Sequence, residues 1–211
     1  MGAVSIGVFG GAFDPPHVGH VELARAGIAH FELERLLVRV VEEPGHKDVG
    51  TPAPVRLSLA RLAFGGVDRA DVSLDPFART VDSLEALALA DPVFLVGADE
   101  FAGILSWKDP ERVLDLARLG VATRPGVDRA RLDRVLGLLG RPGRVAFFEI
   151  EPLPVSSSDI RARVAAGEPI GGLVSAPVEA EITRLRLYRP VDPQEAGGML
   201  GSDPLEGTTR T

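Results

Sequence analysis

The chain has 211 residues, 45% hydrophobic and 25% charged, enough apolar material for one sizeable core. Its 23 basic and 30 acidic side chains give a net charge of −7, which argues against a general nucleic-acid or anionic-membrane surface and requires any bound anion to be held locally. Cysteine is absent, which excludes disulfides, thiolate chemistry and cysteine-ligated metals, and no apolar run reaches the roughly 18 residues of a membrane span.

Val4 to Phe9, VSIGVF, is a β-branched and aromatic run of the kind that forms a buried strand of a parallel sheet. Gly10 and Gly11 follow, and are expected to let the backbone turn tightly and approach a ligand without a Cβ in the way. Pro15 and Pro16 cannot continue a strand, and Val18, Val21, Ala24 and Ile28 recur at helical spacing, so a helix begins near His17. That order delivers free N–H groups and the positive end of a helix dipole to the C-terminal edge of a strand, where open α/β sheets bind ligands. His17 and His20 stand at i and i+3, on one face of the first turn, where two imidazoles can donate to phosphoryl oxygens.

Further strands are expected at Leu36 to Val41, Val93 to Val96, Leu119 to Ala122 and Val145 to Ile150, with a short one at Val72 to Leu74. Helices are expected over Ala53 to Phe64, Thr80 to Ala90, Pro110 to Ala117, Asp128 to Leu139 and Ser157 to Ala166. Alternating β and α elements imply an α/β fold with a doubly wound parallel sheet and right-handed crossovers. Val191 to Thr211 holds four glycines, two prolines, four acids and one Arg with almost no apolar periodicity, and is read as a disordered tail behind a domain over 1–190. No charged-then-apolar leader precedes the first strand, so a cytoplasmic location is expected.

Three later segments carry chemistry. Val155 to Val164, VSSSDIRARV, sets three serines before a helix, so Ser156 and Ser157 can cap it while hydroxyls and first-turn N–H groups face a ligand. Arg161 lies about one turn in, a planar donor able to hold a phosphate. His46 and Lys47 fall in the loop after the second strand, on the ligand edge of the sheet. Gly97-Ala98-Asp99 follows the VFLV strand at the same edge, where an acid suits a ribose or an amino group, or simply caps a helix.

The string FDPPHVGH after two glycines, with His17-Val18-Gly19-His20 as HxGH, closely resembles the signature of the cytidylyl- and adenylyltransferase superfamily. Val155 to Arg161 resembles its ISSTxIR motif, and His46-Lys47 its PPHK loop. The spacing from Gly97 and Asp99 to Trp107, Arg124-Pro125-Gly126 and the LRLYR ending at Arg189 resemble the bacterial nicotinate mononucleotide adenylyltransferase branch. The resemblance implies a Rossmann-like nucleotidyltransferase fold with a small C-terminal helical segment. It also implies adenylyl transfer from ATP to a pyridine mononucleotide, with Mg²⁺ held mainly by the ATP phosphates and no protein metal ligand.

By the same resemblance, His17, His20, Lys47 and Arg161 are catalytic. Gly10, Gly11, Ala12, Phe13, Gly97, Asp99, Arg124, Ser156 and Ser157 join them in holding ATP. His46, Lys47, Thr80 and Trp107 face the acceptor. Two stretches depart from the pattern: Pro76-Phe77-Ala78-Arg79-Thr80 keeps Thr80 of a PSYT-like stretch and loses its Tyr, and Glu43-Pro44-Gly45 stands where Asn-Pro-Pro is usual. A related transferase acting on nicotinamide mononucleotide or another phosphate acceptor, and a catalytically silent nucleotide-binding regulator, stay open as alternatives, as does association between copies of the chain. Neither nucleic acid nor membrane is expected as a partner.

Overall fold

Six strands lie side by side in the order β3-β2-β1-β4-β5-β6, every neighbouring pair parallel. They are β1 (Ile6–Gly11), β2 (Arg35–Val41), β3 (Ala70–Asp75), β4 (Val93–Gly97), β5 (Arg118–Thr123) and β6 (Val145–Glu149). The helices are α1 (Val18–His30), α2 (Ala53–Phe64), α3 (Thr80–Leu87), α4 (Ala98–Phe101), α5 (Pro110–Leu116), α6 (Arg129–Leu138), α7 (Ser157–Ala165) and α8 (Ala176–Arg184). This computed structural model describes residues 4–45 and 49–190. His46 and Lys47, and the segment 191–211 read as a tail, lie outside the described residues.

Both faces of the sheet are covered, as its near-continuous apolar strands require. Along β4, Val93 and Leu95 enter a core shared with α1, α2, α7 and α8, while Phe94 and Val96 enter a second core with α3, α4, α5 and α6. Strand order reverses between β1 and β4, which opens a crevice above their C-terminal ends, the place where doubly wound sheets take ligands. Among the described residues, no helix is long and apolar enough to cross a membrane.

The structure moves the bounds of three sequence-based elements by two residues or more. β1 runs on through Gly10 and Gly11, which pair with Arg39 and Val40, so the turn starts after the glycines. Gly11 serves another purpose: a Cβ there would lie 3.0 Å from the Phe13 ring, which folds back over it. β3 is longer than Val72 to Leu74, because its backbone pairs with β2 along six residues. α3 ends at Leu87 instead of Ala90, since Ala88 turns left-handed and its N–H closes the helix on the carbonyls of Leu84 and Glu85, just ahead of Pro92.

Candidate active site

His17 occupies the N-cap position of α1 in extended conformation, and its ring stacks on that of His20 at 3.7 Å between centroids. Gly19 makes the arrangement fit, because a Cβ there would stand 3.1 Å from His17 Nδ1 and 3.3 Å from Val155. The His17 backbone N–H donates to His20 Nδ1 at 3.2 Å, so a neutral His20 carries its proton on Nε2. Phe13 meets the His20 ring edge-on at 5.1 Å and fixes its plane. Burial pushes the His17 imidazole down to about 4, so it is neutral at physiological pH. Its Nδ1 is buried and has no partner among the described residues.

The loop from Ala12 to Pro16 is bonded on every side. From α7, Ser157 Oγ donates to the Pro15 carbonyl at 2.8 Å, and Arg161 Nη1 donates to the Asp14 carbonyl at 2.7 Å. Ser156 is the N-cap of α7, accepting from the Asp159 N–H at 3.1 Å. Within the protein, then, Ser156 caps α7, Ser157 staples α7 to the loop after β1, and Arg161 shares in that staple.

Sequence reasoning missed a buried cluster beneath this loop. Arg56, 1% exposed on α2, donates to the carbonyls of Thr51, Ala12, Val41 and Glu42 at 2.7–2.9 Å. One guanidinium thus ties the β1–α1 loop to the end of β2, from which the His46 and Lys47 segment departs. Burial lowers its proton affinity, while nearby Asp14 and Tyr188 raise it. Tyr188 donates to buried Asp14 Oδ1 at 2.6 Å, and burial together with that bond pushes its phenol far above its ordinary range. A signal was available: Arg56 falls on the same helical stripe as Leu59, Ala60 and Ala63, a charge placed where the pattern asks for an apolar residue.

These elements enclose a cleft of about 870 Å³. His17, His20 and Arg161 line it, with Gly10, Gly11, Ala12 and Phe13 on the β1 side and Ser156 and Ser157 from α7. Gly97, Asp99 and Arg124 line it too, and Asp99 and Arg124 together with Ala98 border an adjoining hollow of about 610 Å³ over Pro125, Gly126 and Pro152 to Pro154. Asp99 caps nothing; its side chain is 91% exposed and lies 3.7 Å from Arg124, while Gly97 is the N-cap of α4. Thr80 and Trp107 line the cleft as well, the indole resting edge-on against Phe94 at 6.2 Å. Asp109, next in the chain after Lys108, caps α5.

A second polar cluster that the sequence did not reveal borders this part of the cleft. Buried Asp75 accepts from Ser83 Oγ at 2.6 Å and from the Phe77 N–H, and stands 3.7 Å from the guanidinium of Arg39. It connects β2 and β3 to the start of α3 and so fixes the backbone that carries Arg79 and Thr80.

The cytidylyltransferase-like family model matches residues 8–163. A protein of Chromobacterium violaceum named "Probable nicotinate-nucleotide adenylyltransferase" is 36% identical over 208 residues, covering 87% of this chain and 98% of its own. One of the same name from Thermomicrobium roseum is also 36% identical, covering 89% and 92%. Among solved structures, the nicotinic acid mononucleotide adenylyltransferase of Plasmodium falciparum complexed with NaAD aligns with a TM-score of 0.72 at 17% identity, over 87% of this chain and 97% of that one. The latter likeness concerns the fold.

Proposed function

The chain belongs to the cytidylyltransferase-like family, and from that membership we infer that it is a nicotinate-nucleotide adenylyltransferase, moving AMP from ATP to nicotinate mononucleotide with release of pyrophosphate. The observation that carries the reading is the stacked His17–His20 pair at the head of α1, facing a cleft that Arg161 also lines. The acceptor brings its own nucleophile. An oxygen of its 5′-phosphate bonds to the α-phosphorus of ATP, and the bond from that phosphorus to the bridging oxygen breaks with its electrons leaving on pyrophosphate.

No protein nucleophile is required, so the residues position the phosphates in line and neutralise the charge that develops. His20 donates through Nε2–H to an α-phosphoryl or bridging oxygen, and neutral His17 donates through its one protonated nitrogen. Lys47 and Arg161 hold outer phosphates, with the backbone from Gly10 to Phe13 and the first turn of α7 beside them. Ser157 contributes by holding that turn against the loop, and Ser156 by capping it. Gly97, Asp99 and Arg124 border the adenosine, and His46, Thr80 and Trp107 the acceptor. Mg²⁺, when bound, would offset triphosphate charge and would be held chiefly by the phosphates and water, since the candidate phosphate-binding side chains of the cleft are imidazoles and cations. Among the described residues, no three His, Asp or Glu side chains converge as a cation cage.

The test is pyrophosphate release from Mg-ATP with nicotinate and nicotinamide mononucleotide supplied separately at equal concentration. Faster release with the nicotinate form is expected. Preference for the amide, or silence with both, would overturn the acceptor assignment.

A further inference from the structure

The chain's two departures from the family pattern are 34 positions apart in sequence and meet in space: a Cβ built on Gly45 would lie 3.6 Å from Arg79 Nη2 and 3.8 Å from its Cζ. Gly45 therefore lies within van der Waals reach of the guanidinium, and a side chain there that extended toward it would compete for its place. Arg79 is the N-cap residue of α3, directly before Thr80, exposed and lining the cleft.

Among the described residues, Arg39 and Lys108, the other cations near this part of the cleft, are already engaged. Arg39 donates to Ser73 Oγ at 2.8 Å and faces Asp75, and Lys108 pairs with Asp82 at 2.6 Å. The backbone carbonyl of Arg79 accepts from the Ser83 N–H, but its guanidinium makes no hydrogen bond or ion pair with any described residue. The Lys108–Asp82 pair also ties the segment carrying Trp107 to the first turn of α3, so guanidinium, Thr80 and indole border one region of the cleft.

We propose that Arg79 determines acceptor specificity by receiving the pyridine carboxylate of the mononucleotide, with Gly45 providing the space its guanidinium occupies. The proposal rests on the acceptor reading above. A guanidinium offers two parallel N–H donors that match both oxygens of a carboxylate. A carboxamide presents one oxygen and an NH₂ that meets donors with donors, leaving groups unpaired. The same guanidinium could instead grip the acceptor's phosphate, and the two anions are separable because only the carboxylate differs between the acceptors.

The experiment measures kcat/KM for nicotinate and nicotinamide mononucleotide at saturating Mg-ATP in wild type, Arg79→Ala and Arg79→Lys. The expected result is that Arg79→Ala lowers the nicotinate-to-nicotinamide ratio about tenfold or more. That change is carried by KM for the nicotinate form, Arg79→Lys falls between, and the KM for ATP does not move. An unchanged ratio would overturn the proposal, as would equal loss on both acceptors, which would assign Arg79 to the phosphate. Wild-type silence with both acceptors would overturn the acceptor reading itself, and this proposal with it.

Discussion

The Tyr188 hydroxyl donates to Asp14 Oδ1 at 2.6 Å, joining the last described turn of the chain to the loop that precedes the paired histidines, 174 residues away. Asp14 is 4% exposed, and its backbone carbonyl simultaneously accepts from Arg161. The segment ending at Tyr188 is thus part of the frame that holds the loop between β1 and α1.

Tyr188→Phe removes the hydroxyl and leaves a buried carboxyl oxygen short of a partner, at a cost of about 1–3 kcal/mol. Thermal unfolding should show a lower Tm, by roughly 2–4 °C for each kcal/mol in a domain of this size. An unchanged Tm would mean that water replaces the phenol at Asp14.

Arg56 holds four carbonyls from a site that leaves it only 1% exposed. Arg56→Met leaves those acceptors and the neighbouring Asp14 uncompensated, a loss of about 3–5 kcal/mol in urea unfolding. Arg56→Lys keeps the charge without the planar fork, and its stability should fall between the two. Equal stability of the Lys variant and wild type would show that charge alone suffices.

His20→Ala should lower kcat by about 10²–10³-fold, the range for removing one preorganised donor to a developing oxyanion. Circular dichroism should stay native, since the ring is half-buried in the cleft wall. Retained turnover would remove His20 from the assigned role.

His17 supplies a pH dependence with a definite sign. The folded protein keeps it neutral down to about 4, whereas the unfolded chain takes up the proton near 6.5. Between these values the unfolded state binds more protons, so stability is full above pH 6.5 and is lost as pH falls toward 4. The urea midpoint of wild type should decline through that window more steeply than that of His17→Gln. NMR titration of His17 should give a midpoint near 4, shifting upward when ATP phosphates occupy the cleft. A midpoint of 6.5 without ligand would contradict the buried setting.

The doubly wound parallel sheet was legible because strands and helices announce themselves through local periodicity: VFLV, buried on both faces, reads the same in a peptide as in the sheet. The site was legible for a similar reason, since HxGH places two imidazoles one turn apart by helical geometry alone. Each described residue singled out for ATP or acceptor lines one cleft.

What the sequence by itself determined, then, is which elements form and which residues the strand ends bring to one edge. Only the tertiary structure decided that Gly10 and Gly11 stay in β1, that Ser157 and Arg161 turn to the carbonyls of Pro15 and Asp14, and that Gly45 meets Arg79. It also decided that Arg56 and Tyr188 support the loop from below. The physical reason is that hydrogen bonds between groups 44 to 174 residues apart leave no period in the chain; they exist only once packing has brought the partners together and excluded the water that would otherwise satisfy them.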